Sequence, residues 1–274
     1  MAAITLPSVM TPTLLRSISK HPHLPKHTWY FIAGVALSVL NRADEIPKVL
    51  THALDHCATP ACTSGSTSAS RIPPPTHEDP VRIARKMREA LIKMAPIAGL
   101  PRAINALMAL KAGTPAALLD LPSGDGSTST SRSTDIYATP SSAILQRGQS
   151  FFDLVYGKVA GRVMGGMERS GTEDLGLTAR LMYGYILSHT RVLSGVETSY
   201  VLIAGLIPQD VNSQLKGHLK GALNQGASVA EVRAVRDVVI RICEASGMTC
   251  WTADGSSSSP PPGGWGWRGE VANL

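Results

Sequence analysis

Helix-start and helix-stop signals in the last third of the chain constrain the fold more than any other feature. Two pairs of a serine and a glutamate three residues later form capping boxes, in which each side chain bonds the other residue's backbone N–H: Ser194 with Glu197, and Ser228 with Glu231. Gly226 and Gly247 stand where helices commonly end. These signals predict consecutive helices over 196–206, from 208 to before 226, and from 229 to 247.

The patterns earlier in the chain are also helical. Asp79 followed by Pro80 is typical of a helix start, and apolar residues then recur at helical spacing, at positions 83, 87, 91 and 94. Further helices are predicted over 29–40, then after a turn to about residue 56, from 101 onward, over 143–164 and over 177–190. No stretch alternates apolar and polar residues for long, and aromatic residues make up only 5% of the chain. The sequence therefore predicts an all-α fold.

Three stretches rich in Ser, Thr, Pro or Gly divide the chain: 59–78, 122–142 and 251–274. Such compositions bury too little apolar surface to offset the entropy of ordering, so we expect two disordered linkers and a disordered C-terminal tail. The helical domain is then predicted to span 28–250. Residues 1–27 form a separate N-terminal segment, in which three basic residues precede the first acidic residue, Asp44. This pattern resembles a mitochondrial transit peptide, although several prolines interrupt it.

Charge, hydropathy and cysteine spacing limit the kinds of binding partner and the cellular compartments that fit this sequence. The formal net charge is +6, but the basic residues are scattered singly, which argues against nucleic-acid binding. The apolar run 200–207 is too short to cross a membrane. The four cysteines lack the spacing of a disulfide framework. We expect an intracellular protein, cytoplasmic or, if the N-terminal segment is a transit peptide, mitochondrial.

One histidine lies at the edge of an apolar helical stripe and is the candidate catalytic residue. The stripe consists of residues 215, 219, 222 and 223, and His218 shares the bordering face with Gln214 and Val211. A histidine shielded in this way can have a tuned pKa and still reach a cleft, which suits a proton shuttle. The same position also suits a histidine with a purely structural role.

The segment around His218 resembles a known family. The run 193–247, with H-L-K-G-A-L-N-Q-G-A at 218–227 and A-E-V-R-A-V at 230–235, is similar to the carboxymuconolactone decarboxylase family, which includes the alkylhydroperoxidase D-like proteins. The resemblance implies a multi-helix bundle that assembles into trimers or hexamers. The peroxidase branch places a C-x-x-C pair before the histidine, but Val211 and Gln214 occupy those positions here, and Ser199 aligns with a relay glutamate. Thiol peroxidase chemistry is therefore not expected.

The decarboxylase branch needs neither thiols nor a cofactor. The resemblance implies a lyase or isomerase acting on a small organic acid or lactone, with His218 as acid or base. Gln214 or Asn212 could orient a substrate carbonyl. A second hypothesis is a catalytically inactive oligomeric scaffold, since the thiol and glutamate positions are vacant.

The cysteines give two weaker hypotheses. Cys57 and Cys62 could support a thiol-dependent antioxidant, or could join His52 and His56 at a zinc ion, but their spacing is unlike that of structural zinc sites. We therefore predict no metal. Cys243 lies in the apolar stripe of the last helix and is expected to be a core thiol.

Overall fold

The computed structural model describes residues 6–58, 78–120, 131–251 and 266–274, and the all-α class is confirmed. Most of the first linker and parts of the second linker and of the tail, at 59–77, 121–130 and 252–265, lie outside the described residues. None of the helices in the described ranges is long and apolar enough to cross a membrane. The α-helices are α1 Pro12–Ser19, α2 Trp29–Val39, α3 Ile46–Ala58, α4 Pro80–Ala98, α5 Leu100–Gly113, α6 Ser131–Tyr137, α7 Ser141–Tyr156, α8 Ala160–Glu168, α9 Asp174–Met182, α10 Gly195–Leu206, α11 Asn212–Asn224 and α12 Val229–Ala245.

Two helices form the centre of the bundle. Residues 30–39 of α2 and 198–206 of α10 are all buried, because both helices are apolar on every side. Helices α4 and α12 pack against both of them, and α11 packs between α10 and α7. The helix that carries His218 is therefore held between the centre of the bundle and its outer layer.

Three predicted helix caps, at Asp79, Ser194 and Ser228, are confirmed at the level of individual hydrogen bonds. The Ser194 Oγ accepts from the Glu197 N–H at 3.1 Å, and the Glu197 Oε2 accepts from the Ser194 N–H at 2.9 Å. The corresponding distances at the second capping box are 3.2 and 2.7 Å. Asp79 accepts from the Val81 N–H at 3.1 Å. These caps satisfy N–H groups that have no partner within the helix.

Several predicted helix boundaries are wrong. The helix expected over 143–164 is interrupted because Gly157 has a φ of 53°. The helix expected to start at Pro208 starts instead at Asn212, after a 3₁₀ turn over Ile207–Gln209 and a left-handed Asp210 with a φ of 56°. Helix α9 starts before the predicted residue and continues as a π-helix over Tyr183–Leu187. Helix α7 makes most of its contacts with this part of the chain at the π-helix.

Two regions predicted to lie outside the ordered domain are part of it. In the N-terminal segment, Leu15 and Ile18 on one face of α1 are buried in the core, so the predicted boundary at residue 28 is wrong for residues 6–27. In the second linker, residues 131–142 contain α6 and the start of α7. Helix α6 is tied down by ion pairs of Arg132 with Glu89 and of Asp135 with Arg147.

The end of the predicted tail is also ordered, which corrects the prediction for 266–274. Strands β1, Thr249–Cys250, and β2, Gly266–Trp267, pair in parallel. The Trp267 indole is buried and donates from Nε1 to the Ile207 carbonyl at 2.9 Å. Arg236 donates to the carbonyls of Val271 and Ala272. The segment is held by side chains that bond its backbone, which a composition argument does not reveal.

Candidate functional site

Helices α11 and α7 approach each other closely at two glycines of α11. A Cβ at Gly221 would lie 2.7 Å from the Val155 Cγ1, and one at Gly217 would lie 3.3 Å from the Tyr156 Cε1. Asn224 adds a hydrogen bond to the Val155 carbonyl at 2.8 Å. The small side chains bring the backbones together, so that the residues next to the glycines meet across the helix interface.

His218 meets Tyr156 at this interface. The His218 Nε2 and the Tyr156 Oη are 3.4 Å apart, and the Tyr183 Oη donates to the Tyr156 Oη at 3.5 Å. The Phe152 ring packs against both tyrosines, with centroid distances of 4.5 and 4.8 Å. We call His218, Tyr156 and Tyr183 the tyrosine–histidine chain.

The other nitrogen of His218 has no hydrogen-bond partner among the described residues. His218 is 6% exposed, and its Nδ1 is buried. Since Tyr183 donates to Tyr156, the Tyr156 hydroxyl proton is free to bond the His218 Nε2. The neutral imidazole then carries its own proton on Nδ1. This arrangement leaves one buried N–H donor aimed at no acceptor of the described chain.

Burial sets the protonation states of the tyrosine–histidine chain. It lowers the pKa of His218 from 6.5 to about 4, so the imidazole is neutral near pH 7. Burial also raises the pKa of Tyr156, and it raises that of Tyr183 well above 10. All three groups are therefore uncharged at neutral pH, and both tyrosines keep their protons.

The two residues predicted to orient a substrate lie elsewhere. Asn212 accepts from the Ala272 N–H at 2.7 Å and donates to the Glu270 carbonyl at 3.4 Å, so its amide is occupied by the C-terminal segment. Gln214 is exposed and lines a surface depression with Asp210 and Arg268. Within the described residues no hydrogen bond joins either side chain to His218. The Asn212 amide therefore bonds the C-terminal segment, and its role in orienting a substrate carbonyl stays a prediction.

The position aligned with the relay glutamate holds a neutral pair. Ser199 is fully buried, and its Oγ accepts from the Gln225 Nε2 at 2.6 Å. The Gln225 Oε1 is buried without a partner in the described chain. Glu197, two residues earlier, serves in the capping box as expected and also bonds Lys86 at 2.8 Å.

Sequence reasoning missed the buried charges of α4. The Lys86 ammonium is 3.2 Å from Glu78, whose carboxylate also accepts from the Tyr30 hydroxyl at 2.8 Å. Burial, with the Glu78 charge next, raises the pKa of Tyr30. These residues come from the loop before α4, from α4 and from α2, and they hold the three together.

A second charged group lies further along α4. Lys93 has no exposed surface, and its Nζ donates to the Leu187 carbonyl at 2.6 Å. Glu89 faces Lys93, Arg132 and His189. Burial lowers the pKa of Lys93 to about 7, despite the Glu89 carboxylate, and the charges of Arg132 and Arg147 add to the lowering. Lys86, Glu89 and Lys93 share one helical face, and this spacing of charges is the sequence signal that could have revealed them.

The described part of the chain does not support the zinc-site hypothesis or the thiol-antioxidant hypothesis. No group of three or more His, Cys, Asp or Glu residues there could hold a metal ion. The His52 ring packs against Trp29, while Cys62 and the Cys57 side chain lie outside the described residues. Cys243 is fully buried, and burial raises the pKa of its thiol, as expected for a core residue.

The fold and site define a class: an all-α protein with a buried, neutral tyrosine–histidine chain and no C-x-x-C pair. The chain is 33% identical to peroxisomal protein 2 of Schizosaccharomyces pombe over 226 residues, covering 82% of this chain and 89% of the relative. It is 34% identical to peroxisomal protein 2 of Saccharomyces cerevisiae over 260 residues, covering 84% and 92%. The chain therefore belongs to the peroxisomal protein 2 family.

The remaining comparisons add no further relative. No protein-family model matches the chain, and no solved structure matches it. The name of both relatives agrees with the intracellular location expected from the cysteine usage.

Proposed function

We propose that the chain is a carboxymuconolactone decarboxylase-like lyase or isomerase that acts on a small organic acid or lactone, with His218 as the catalytic residue. One observation carries the proposal: the buried His218 Nδ1 has no partner in the described chain. An unpaired buried donor destabilises a protein by about 1–3 kcal/mol. A substrate oxygen bonded to Nδ1 would relieve that penalty, so the site favours binding there.

The neutral state of His218 determines its part in the chemistry. A pKa near 4 makes the imidazole a weak base at pH 7 but leaves it able to donate a hydrogen bond. In a decarboxylation, the bond between the carboxylate and its carbon breaks, CO₂ leaves, and the electron pair is delocalised onto a conjugated carbonyl oxygen as an enolate until the carbon takes a proton from water. The Nδ1–H would stabilise that oxyanion, and Tyr156 would hold the imidazole in the required tautomer.

The test is turnover of a panel of small carboxylic acids and lactones, followed by ultraviolet absorbance and by CO₂ release. His218→Leu removes both nitrogens and should lower kcat by about 10²–10⁴-fold on any substrate found. His218→Asn can place an amide near the former Nδ1 and should retain part of the activity. Lys220→Ala, at an exposed position of the same helix, is the control. Equal turnover by wild type and His218→Leu would remove His218 from the chemistry.

A second candidate is the inactive oligomeric scaffold. It is favoured by the burial of His218 and by the position of two surface cavities of the described chain, neither of which His218 lines. NMR titration of the His218 imidazole separates the two candidates. A ring signal that shifts on adding a small carboxylic acid or lactone supports the lyase, and a signal that no such compound moves supports the scaffold.

Location and assembly complete the proposal. The name of both relatives favours a peroxisomal location over a cytoplasmic or mitochondrial one. Co-sedimentation of the protein with a peroxisomal marker on a density gradient tests this, and co-sedimentation with mitochondria would contradict it. The family resemblance favours a trimer or hexamer, which light scattering during gel filtration measures directly.

A further inference from the structure

A cavity lies between α4 and α5, away from the tyrosine–histidine chain. Its volume is about 360 Å³, within the range of small-molecule sites. The segment that follows α5 closes one side, through Leu119 and Asp120. Its wall is mainly apolar: Ala84, Ile92, Leu107, Met108, Leu110 and Leu119. The cavity shares no residue with the tyrosine–histidine chain, so its function is independent of the one proposed above.

The mouth of the cavity is cationic. Arg88 and Lys111 line it. Arg85 precedes Arg88 by one turn of α4, and both arginines pair with Asp120. A single carboxylate, Asp120, accepts from Arg85 at 2.9 Å and contacts Arg88. The described lining therefore contains two cations, Arg88 and Lys111, and one carboxylate. The Asp120 contacts also show that a carboxylate fits between the two guanidinium groups.

We propose that this cavity binds a short- to medium-chain aliphatic monocarboxylate. The apolar wall takes the hydrocarbon chain, and Arg88 and Lys111 take the head group. Asp120 competes with that head group for Arg88, so it weakens binding. A neutral apolar compound of the same length lacks the charge that complements this mouth and binds less tightly.

Isothermal titration calorimetry of the full chain with octanoate, octanol and acetate tests the proposal. Octanoate should bind at least 10-fold more tightly than either octanol or acetate. Equal affinity for octanol would mean that the cations play no part, and equal affinity for acetate would mean that the apolar wall plays none. Either result would overturn the proposal.

Four variants locate the site. Met108→Trp fills the cavity and should weaken octanoate binding at least 10-fold. Ile104→Trp, at the exposed position one turn earlier on α5 and outside the lining, should not change it. Lys111→Gln should weaken binding several-fold, and Asp120→Asn should tighten it several-fold because Arg88 is released. Unchanged affinity in Met108→Trp and Asp120→Asn, with thermal melts confirming that both fold, would place octanoate elsewhere and contradict the proposal.

Discussion

Two regions of buried polar groups in the described chain differ in how their members are paired. On α4, Lys86 and Lys93 each bond an oxygen and face a carboxylate. Between α7 and α11, His218 bonds a single tyrosine hydroxyl through Nε2, and its Nδ1 has no hydrogen-bond partner in the described chain. Paired charges fix the positions of helices, whereas an unpaired neutral group destabilises the unliganded protein and remains available to a ligand.

The largest effect on stability is expected when one charge of the α4 region loses its partner. Glu89→Gln keeps the shape of the side chain but leaves Lys93 and Arg132 without a counter-charge. Removing one partner of a buried ion pair typically costs about 3–5 kcal/mol. Urea unfolding at pH 7 should show a loss of that size. Glu173→Gln, at an exposed position, is the control and should change the free energy of unfolding by less than about 0.5 kcal/mol. A similar small effect of Glu89→Gln would mean that the α4 charges are not structural.

The region between α7 and α11 should show itself in how the free energy of unfolding depends on pH, through the pKa of His218. The folded pKa of His218, about 4, lies below its ordinary value of 6.5, so between these values the unfolded chain binds more protons. Stability from this group is present above pH 6.5 and is lost as the pH falls toward 4, by about 3 kcal/mol.

His218→Leu should remove that part of the pH dependence. Urea unfolding of both proteins at pH 7 and pH 4 measures it, as the difference between their pH-dependent losses. Identical losses in wild type and variant would show that His218 is not held neutral by burial.

Gly221 tests whether the close helix approach creates the unpaired site. An alanine there would place its Cβ against Val155, and overpacking costs about 1–3 kcal/mol, against a gain in helix propensity of about 1 kcal/mol. We expect a net loss of up to about 2 kcal/mol. Water admitted to the interface should also raise the NMR pKa of His218 toward 6.5. Gly166→Ala on α8 meets no atom within 4 Å and should instead stabilise the protein. If Gly221→Ala also stabilised the protein, α11 and α7 would not be closely packed at Gly221.

The smallest effect is expected from Tyr156→Phe. The loss of one hydrogen bond should lower the free energy of unfolding by about 1 kcal/mol, because the His218 Nε2 loses its partner. Activity should fall more steeply than stability if Tyr156 fixes the imidazole tautomer. Tyr137→Phe, at a highly exposed tyrosine, is the control for loss of a hydroxyl. An unchanged imidazole NMR spectrum in Tyr156→Phe would show that the two side chains are not bonded.

Local signals in the sequence predicted more of the fold than of the site. The two capping boxes, the apolar helix α2 and the core position of Cys243 depend on neighbouring residues, and all were found from the sequence. The burial of Lys93 and the bond of Trp267 to Ile207 depend on partners far along the chain, 94 and 60 residues away. The sequence identified His218, but its tyrosine partners come from α7 and the π-helix, and no local pattern connects them.

The docked C-terminal segment has a consequence for the order of folding. Trp267 bonds Ile207 in the 3₁₀ turn before α11, and the Ala272 N–H bonds Asn212, the first residue of α11. Helix α11 carries His218. Residues 266–274 leave the ribosome after every other described residue. The entry to α11 therefore reaches its final contacts only after the rest of the described helices have been synthesised. The start of the helix that carries His218 is therefore among the last parts of the described chain to gain its contacts.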